Sequence, residues 1–263
     1  MPAKESVIAA ASLCVAAALP GCSAAPSAAD PPVPTTVHST AHPTARPAQA
    51  AFAFTVAGDR PVLTGGSQDT HAQTPNARCD SATFAADKAL GTRVARAFAL
   101  AGFPVSADLL EHFLTGTGTG VDYRAGSPIA RKALASGAFR ALNAEVTKAI
   151  LGQLKAGSTR VLLSAAQLPA VAFESTSSDL YWGFRGTQGL TVTGHGSLAN
   201  GRWTGTLTYV IRDSYGFPVS DTLAGFGPPM RYLQTVCGAP QHSGGARWFP
   251  DSITVTVPFS LPA

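Results

Sequence analysis

Between Ala82 and Gly157 the apolar residues recur at helical spacing. Leu90, Val94 and Phe98 fall every fourth position and trace one stripe, which Gly102 and Pro104 bring to an end. A second, shorter helix is predicted from Ser106, carrying Leu109, Leu110 and Phe113. The run "LTGTGTG" then reads as a turn, and Ser127-Pro128 as a helix start, with a capping hydroxyl before a proline at the first helical position. Phe139, Leu142, Val146, Ile150 and Leu154 give the strongest amphipathic pattern, closed by Gly157.

Beyond Gly157 the period shortens to two. Val161 with Leu163, and Val171 with Phe173, suggest short strands. "GLTVTGHGSLANGRWTGTLTYVIRD" reads as a long hairpin turning at Asn200-Gly201. In its second arm Leu207, Tyr209 and Ile211 face one way, and Thr206 and Thr208 the other. Ile253 to Phe259 alternates as cleanly and makes the last strand. After the hairpin, the stretch from Val210 to Gly238 reads as strand end, a Gly/Pro-rich lip, and a further strand anchored at Cys237. Helices grouped before strands imply an α+β fold, with N-terminal helices packed on one face of a C-terminal antiparallel β-sheet.

The first fifty residues carry no such period. Lys4 precedes the apolar run Val7 to Leu19, too short to span a bilayer comfortably and laid out as a secretory signal. Leu19-Pro20-Gly21-Cys22 resembles the lipobox of bacterial lipoproteins. That resemblance implies cleavage before Cys22, a diacylglyceryl group with palmitate-type chains on its sulfur, and an extracytoplasmic domain held to the membrane. Ordinary cleavage near Ala24-Ala25, giving a freely secreted protein, is the alternative. The expected organisation is a signal over residues 1–21, a Pro/Ala/Thr-rich tether over 22–77 and one α+β domain over 78–263. Within the tether "AFAFTV" is ambiguous with a strand, and His38 and His42 read as solvated linker residues.

Of four cysteines, Cys14 leaves with the signal and Cys22 is the lipidation site, so Cys79 and Cys237 remain as an even pair in an oxidising compartment. A disulfide between them is expected; two buried free thiols are the other possibility. Charged residues make up only 13% of the chain, and 19 basic against 15 acidic side chains form no stripe, which excludes a nucleic-acid partner on charge grounds. No cofactor or metal motif is present: Gly116 to Gly120 lacks the Lys-Ser/Thr ending of a phosphate loop, and there is no Gly-x-Ser-x-Gly elbow, His-Glu-x-x-His or Cys-x-x-Cys.

The polar residues that stand out are Arg185, His195, Asp213, Tyr215, Asp221, Arg231, His242 and Asp251. A strand-end carboxylate near a tyrosine and an arginine suits general acid–base work, which makes Asp213, Tyr215, His242 and Arg185 the catalytic candidates. The structural reading of the same stretch is that Asp213 and Ser214 form side-chain turns while Tyr215 and Phe217 plug the edge of the core. Trp182, Trp248 and Phe217 are candidates for an aromatic binding patch.

From about Phe113 to Phe259 the chain resembles uncharacterised secreted or lipid-anchored proteins of high-GC Gram-positive bacteria, on "DLYWGFRGTQGL", "VIRDSYGFP", "MRYLQT" and "GGARWFPDSITV". Asp213 and Tyr215 also match two positions of the Asp-x-Tyr-Asp segment of colicin M-like bacteriocins, which cleave lipid-linked peptidoglycan precursor. Gly216 stands where that family's second Asp belongs. Two functions are therefore in view: a membrane-anchored lipoprotein whose domain binds an envelope component, and an envelope-directed hydrolase using Asp213 and Tyr215. Oligomeric state has no signature in the chain.

Overall fold

The computed structural model describes residues 51–59, 77–155, 161, 163, 171–173, 178–185, 187–217, 225–238 and 245–263. Residues Gln49–Ala263 make one compact unit. Its elements are β1 (Ala51–Asp59), α1 (Ser81–Leu100), α2 (Pro104–Thr115), β2 (Val121–Tyr123), α3 (Pro128–Ala135), α4 (Gly137–Lys155), α5 (Asp179–Phe184), β3 (Gly189–Ala199), β4 (Arg202–Tyr215), α6 (Gly227–Thr235) and β5 (Phe249–Pro262). The fold is α+β, with the helices concentrated in the first half and the sheet strands in the second. The signal, Cys22, the two linker histidines, Asp221 and His242 lie outside the described residues.

The sheet has the order β1-β3-β4-β5-β2, antiparallel except for β2, which runs parallel to β5. The turn at its centre is the expected one. Asn200 and Gly201 both take positive φ, 52° and 69°, the two left-handed positions that a tight two-residue hairpin with right-handed strand twist requires. Ala199 and Arg202 close the register on either side.

Strand β4 shows the alternation in full. Trp203, Leu207, Tyr209, Ile211, Asp213 and Tyr215 are buried, with Gly205 in the same phase, while the even-numbered residues Thr204 to Ser214 point to the other face. The helices fill the buried side. Phe139, Leu142, Val146, Ile150 and Leu154 of the long amphipathic pattern are all at or below 5% exposure, so the stripe predicted for α4 is its core face. Phe139 meets Tyr209 edge-on, and the Tyr209 hydroxyl donates to Asn143 Oδ1 at 2.8 Å. Ser127 caps α3 by accepting from Ala130 N–H, with Pro128 following it, as the sequence implies.

Four features differ from the sequence reading. Residues 51–59, inside the segment read as tether, form β1 and pair with β3; the folded unit thus begins before residue 78. Val161, Leu163, Val171 and Phe173 join the core without belonging to a strand. The shorter helix starts at Pro104 rather than Ser106, since proline fits the first helical turn, where its missing N–H costs nothing. The "MRYLQT" segment is a helix: Pro228 and Pro229 pre-set its first turn, and Met230 and Leu233 bury one side. Cys237 therefore follows α6, not a strand.

Cys79 and Cys237 lie at disulfide-bonding distance, S–S 2.01 Å with Cα atoms 5.0 Å apart. The bond ties the entry of α1 to the exit of α6. Nearby, Asp80 N–H donates to the Tyr232 hydroxyl at 2.8 Å, and Asp80 caps α1 by accepting from Thr83 N–H. Gly91 lets α1 approach Leu114 and Met230 closely; a Cβ there would sit 3.0 Å from both side chains.

Candidate functional site

The polar interior of this protein is concentrated at one end of the sheet. Asp213 and Asp251 are Cα partners across β4 and β5, both on the core face and 6% and 2% exposed. Alternation puts them there. Asp213 is in phase with Tyr209 and Ile211, and Asp251 with Ile253 and Val255, so the pleat that buries the core buries these carboxyls too. Val121 of β2 is the next neighbour of Asp251 in the same row.

Their surroundings are acidic. Neither oxygen of Asp251 has a hydrogen-bond partner. Burial pushes its carboxyl well above the ordinary range, and the negative charges of Asp213 and then Asp122 add to the rise. Asp213 accepts from Ser214 N–H at 2.8 Å. Tyr123, one row along on β2, is likewise raised, first by burial and then by the charges of Asp251, Asp108 and Asp179. Asp122 turns to the other face, where Ser252 donates to it at 2.6 Å.

A third buried carboxylate completes the cluster with better partners. Asp179, at the start of α5, accepts from Ser106 N–H and Oγ of α2 at 3.0 and 2.9 Å and from Lys132 Nζ of α3 at 2.6 Å. The three helices are thus joined through one side chain, which explains why Ser106 is buried inside α2 rather than capping it. Neither the role of Asp179 nor the pairing of Asp251 is visible before the helices and strands are assembled.

The catalytic candidates are placed as follows. Asp213 faces Asp251. Tyr215, two positions on and on the same face, is 7% exposed and stacks on Phe249 at 5.4 Å with Phe113 and Phe217 at its edges. Arg185, just after α5, lies over the Tyr181 ring and donates to its hydroxyl at 3.1 Å. His195 is exposed on the outward face of β3, Cα-paired with Ala53 and Thr206. Arg231 is half-buried on α6.

Two of the aromatic candidates, Phe217 and Trp182, belong to a packed cluster rather than a rim. Phe217 is 4% exposed and meets Phe113 and Phe226; its backbone N–H donates to the buried Gln234 side chain at 2.9 Å, fastening the end of β4 to α6. Trp182 is half-buried among Phe98, Tyr181 and Phe226. Trp248, also half-buried, precedes Phe249 at the start of β5.

The other face of the sheet carries a regular polar surface. Thr55, Thr193, Thr208 and Thr256 lie in one row across β1, β3, β4 and β5. The rows toward the hairpin end are Ala53, His195, Thr206 and Pro258, then Ala51, Ser197, Thr204 and Ser260. Every one of these residues is exposed or half-buried, and none is acidic. Hydroxyls therefore repeat at about 4.8 Å across strands in the first and third of these rows, and at about 6.8 Å along β4 through Thr204, Thr206 and Thr208. Arg202 and Arg212 bound the surface, donating to Ser260 and Thr191 respectively.

Comparison with known protein families, with curated proteins and with solved structures yields no match.

Proposed function

We propose that this protein is a membrane-anchored extracytoplasmic lipoprotein, acylated at Cys22, whose domain binds a component of the cell envelope through the open face of its sheet. The observation that carries the binding half is the array of threonine and serine hydroxyls on that face. Each hydroxyl both donates and accepts, and the strands hold their spacing fixed, so a repeating polyhydroxylated ligand meets many preorganised partners at low entropic cost. Phe217 and Trp182, two of the aromatic candidates for this role, are packed among other rings, and the open face offers a larger exposed polar surface. The anchoring half rests on the lipobox-like Leu19 to Cys22 and on a disulfide suited to an oxidising compartment.

The hydrolase alternative draws on Asp213, which has an acid partner in Asp251 and so resembles paired-carboxyl acid–base sites. Both carboxyls lie beneath the helices, so substrate access would require that cover to open. Binding needs no such step and is the reading preferred here.

Two experiments address the two halves. Metabolic labelling with a fatty-acid analogue is expected to mark the wild type and not Cys22→Ser, with the variant leaving the membrane fraction. A labelled Cys22→Ser protein contradicts the anchor. Retention of the full chain on isolated envelope fractions tests the binding surface, and no retention above a non-binding control rejects it.

A further inference from the structure

Asp251 is the one buried side chain among the described residues whose polar atoms find no hydrogen-bond partner on any other residue. A buried carboxylate without partners is strongly disfavoured against its neutral form, so the group persists protonated or serves a purpose. Its location gives it leverage. It sits in the row Asp213, Asp251, Val121, where the central strands meet the parallel edge strand β2.

We propose that Asp251 is the trigger of a pH-responsive latch: neutral, it lets β2 and β5 close on β4, and ionised opposite Asp213 it forces that end of the sheet apart. Among the described residues, the charges that raise its hold on the proton are negative: Asp213 from β4 on the same face, then Asp122 of β2 across the sheet. Tyr123 from β2 sits among Asp251, Asp108 of α2 and Asp179 of α5. His112 of α2 lies edge-on to Phe249, the neighbour of Asp251 on the same face, with its Nε2 hydrogen-bonded to Thr119 O at 2.7 Å. Lys132 of α3 is held by Asp179, and Arg185 lies over Tyr181. When Asp251 loses its proton, the new charge faces the Asp213 carboxylate in a site of low polarity, and separation of the strands admits the water that relieves it.

The sign follows from the direction of the shift. The native carboxyl binds its proton more tightly than the unfolded one, so the native state holds the extra proton between the ordinary carboxylate range and the raised native value. The stabilisation is present in full below that window and is lost as pH rises through it. One proton corresponds to at most a tenfold fall in the folding constant per pH unit.

The test compares the full chain with Asp251→Asn, a neutral group of the same shape. Urea unfolding at a series of pH values is expected to show the ratio of wild-type to variant folding constants falling with rising pH, approaching tenfold per unit. Amide exchange at Tyr123 and Ile253, corrected for its intrinsic pH dependence, is expected to accelerate more than about tenfold in the wild type as pH rises from the ordinary carboxylate range through the raised native value, and not in the variant. Identical pH slopes in the two proteins overturn the proposal. Should Asp251→Asn fail to fold, infrared spectroscopy of the wild type decides: a protonated-carboxyl band must persist above the pH range in which ordinary carboxyls ionise, and its absence there overturns the latch.

Discussion

Removing the Cys79–Cys237 bond gives the largest effect that can be worked from one feature of the fold. The two residues are 158 apart in the chain. On the chain-entropy relation, a loop of that length withholds about 17 cal/mol/K from the unfolded ensemble, or about 5 kcal/mol at room temperature. A domain of this kind has a total stability of about 5–15 kcal/mol, so the loss takes a large share of it. The structure argues that little native strain offsets the figure, because the bond lies along contacts that α1 and α6 make anyway: Asp80 N–H on the Tyr232 hydroxyl, and Gly91 against Met230. The assay is urea unfolding followed by far-ultraviolet circular dichroism, comparing the oxidised wild type with the Cys79→Ala/Cys237→Ala double variant at fixed pH. The account predicts a fall of about 3–5 kcal/mol, or a variant already unfolded at 37 °C. A fall under about 1 kcal/mol with an unchanged m-value refutes the reasoning.

Three further outcomes are expected. Asp179→Ala removes the carboxylate oxygen that accepts both the N–H and the Oγ of buried Ser106, leaving Oγ the backbone oxygen of residue 179 at 3.3 Å, and should destabilise by about 2–3 kcal/mol, most of it from those donors because Lys132 is partly exposed and reaches water; denaturation midpoints at low and high salt check both the size and the weak salt dependence. Tyr209→Phe keeps the ring against Phe139 and loses only the hydrogen bond to Asn143, costing about 1 kcal/mol by the same assay. Gly201→Ala forces a Cβ into a left-handed backbone at φ 69° and should cost about 1 kcal/mol, seen as a lower thermal midpoint without loss of sheet signal.

The parts of the fold that were legible in the sequence are those where one local rule acts alone. The α4 stripe, the Ser127-Pro128 start and the Asn200-Gly201 turn each follow from spacing or backbone chemistry within a few residues. The outward placement of Thr206 and Thr208 was readable for the same reason. What escaped depends on distant partners. Ala51–Asp59 is a strand because β3 offers it an edge 138 residues or so further along the chain, in register from Ala51 with Ser197 to Asp59 with Gly189. Strand β2 has three residues and no pattern of its own, and it exists through parallel pairing with β5. The α6 segment carries two prolines and a short apolar side, a composition that suits a loop or a strand edge as well as a helix.

The candidate site divides along the same line. Asp213 stood out as a strand-end acid, and the phase of β4 already placed it on the buried side with Ile211. Its partner could not be inferred, because Asp213 and Asp251 are 38 positions apart and their pairing depends on how β4 and β5 are aligned over that distance. Conversely, Phe217 and Trp182 looked like a binding surface because aromatic residues in a Gly/Pro-rich stretch read the same whether they point outward or inward. Here the Gln234 side chain and the Phe113, Phe98 and Phe226 rings turn them inward.

The open hydroxyl face is tested most directly by changing it without touching the core. Thr193 and Thr256 share one row and are separated by Thr208, so lysines at both positions avoid facing each other across neighbouring strands. The measurement is retention of the full chain on isolated envelope fractions, wild type against Thr193→Lys/Thr256→Lys, with matching circular dichroism spectra. The account predicts that the wild type is retained and that the double variant loses at least about tenfold in affinity, the equivalent of about 1.4 kcal/mol. Equal retention of the two proteins would contradict it.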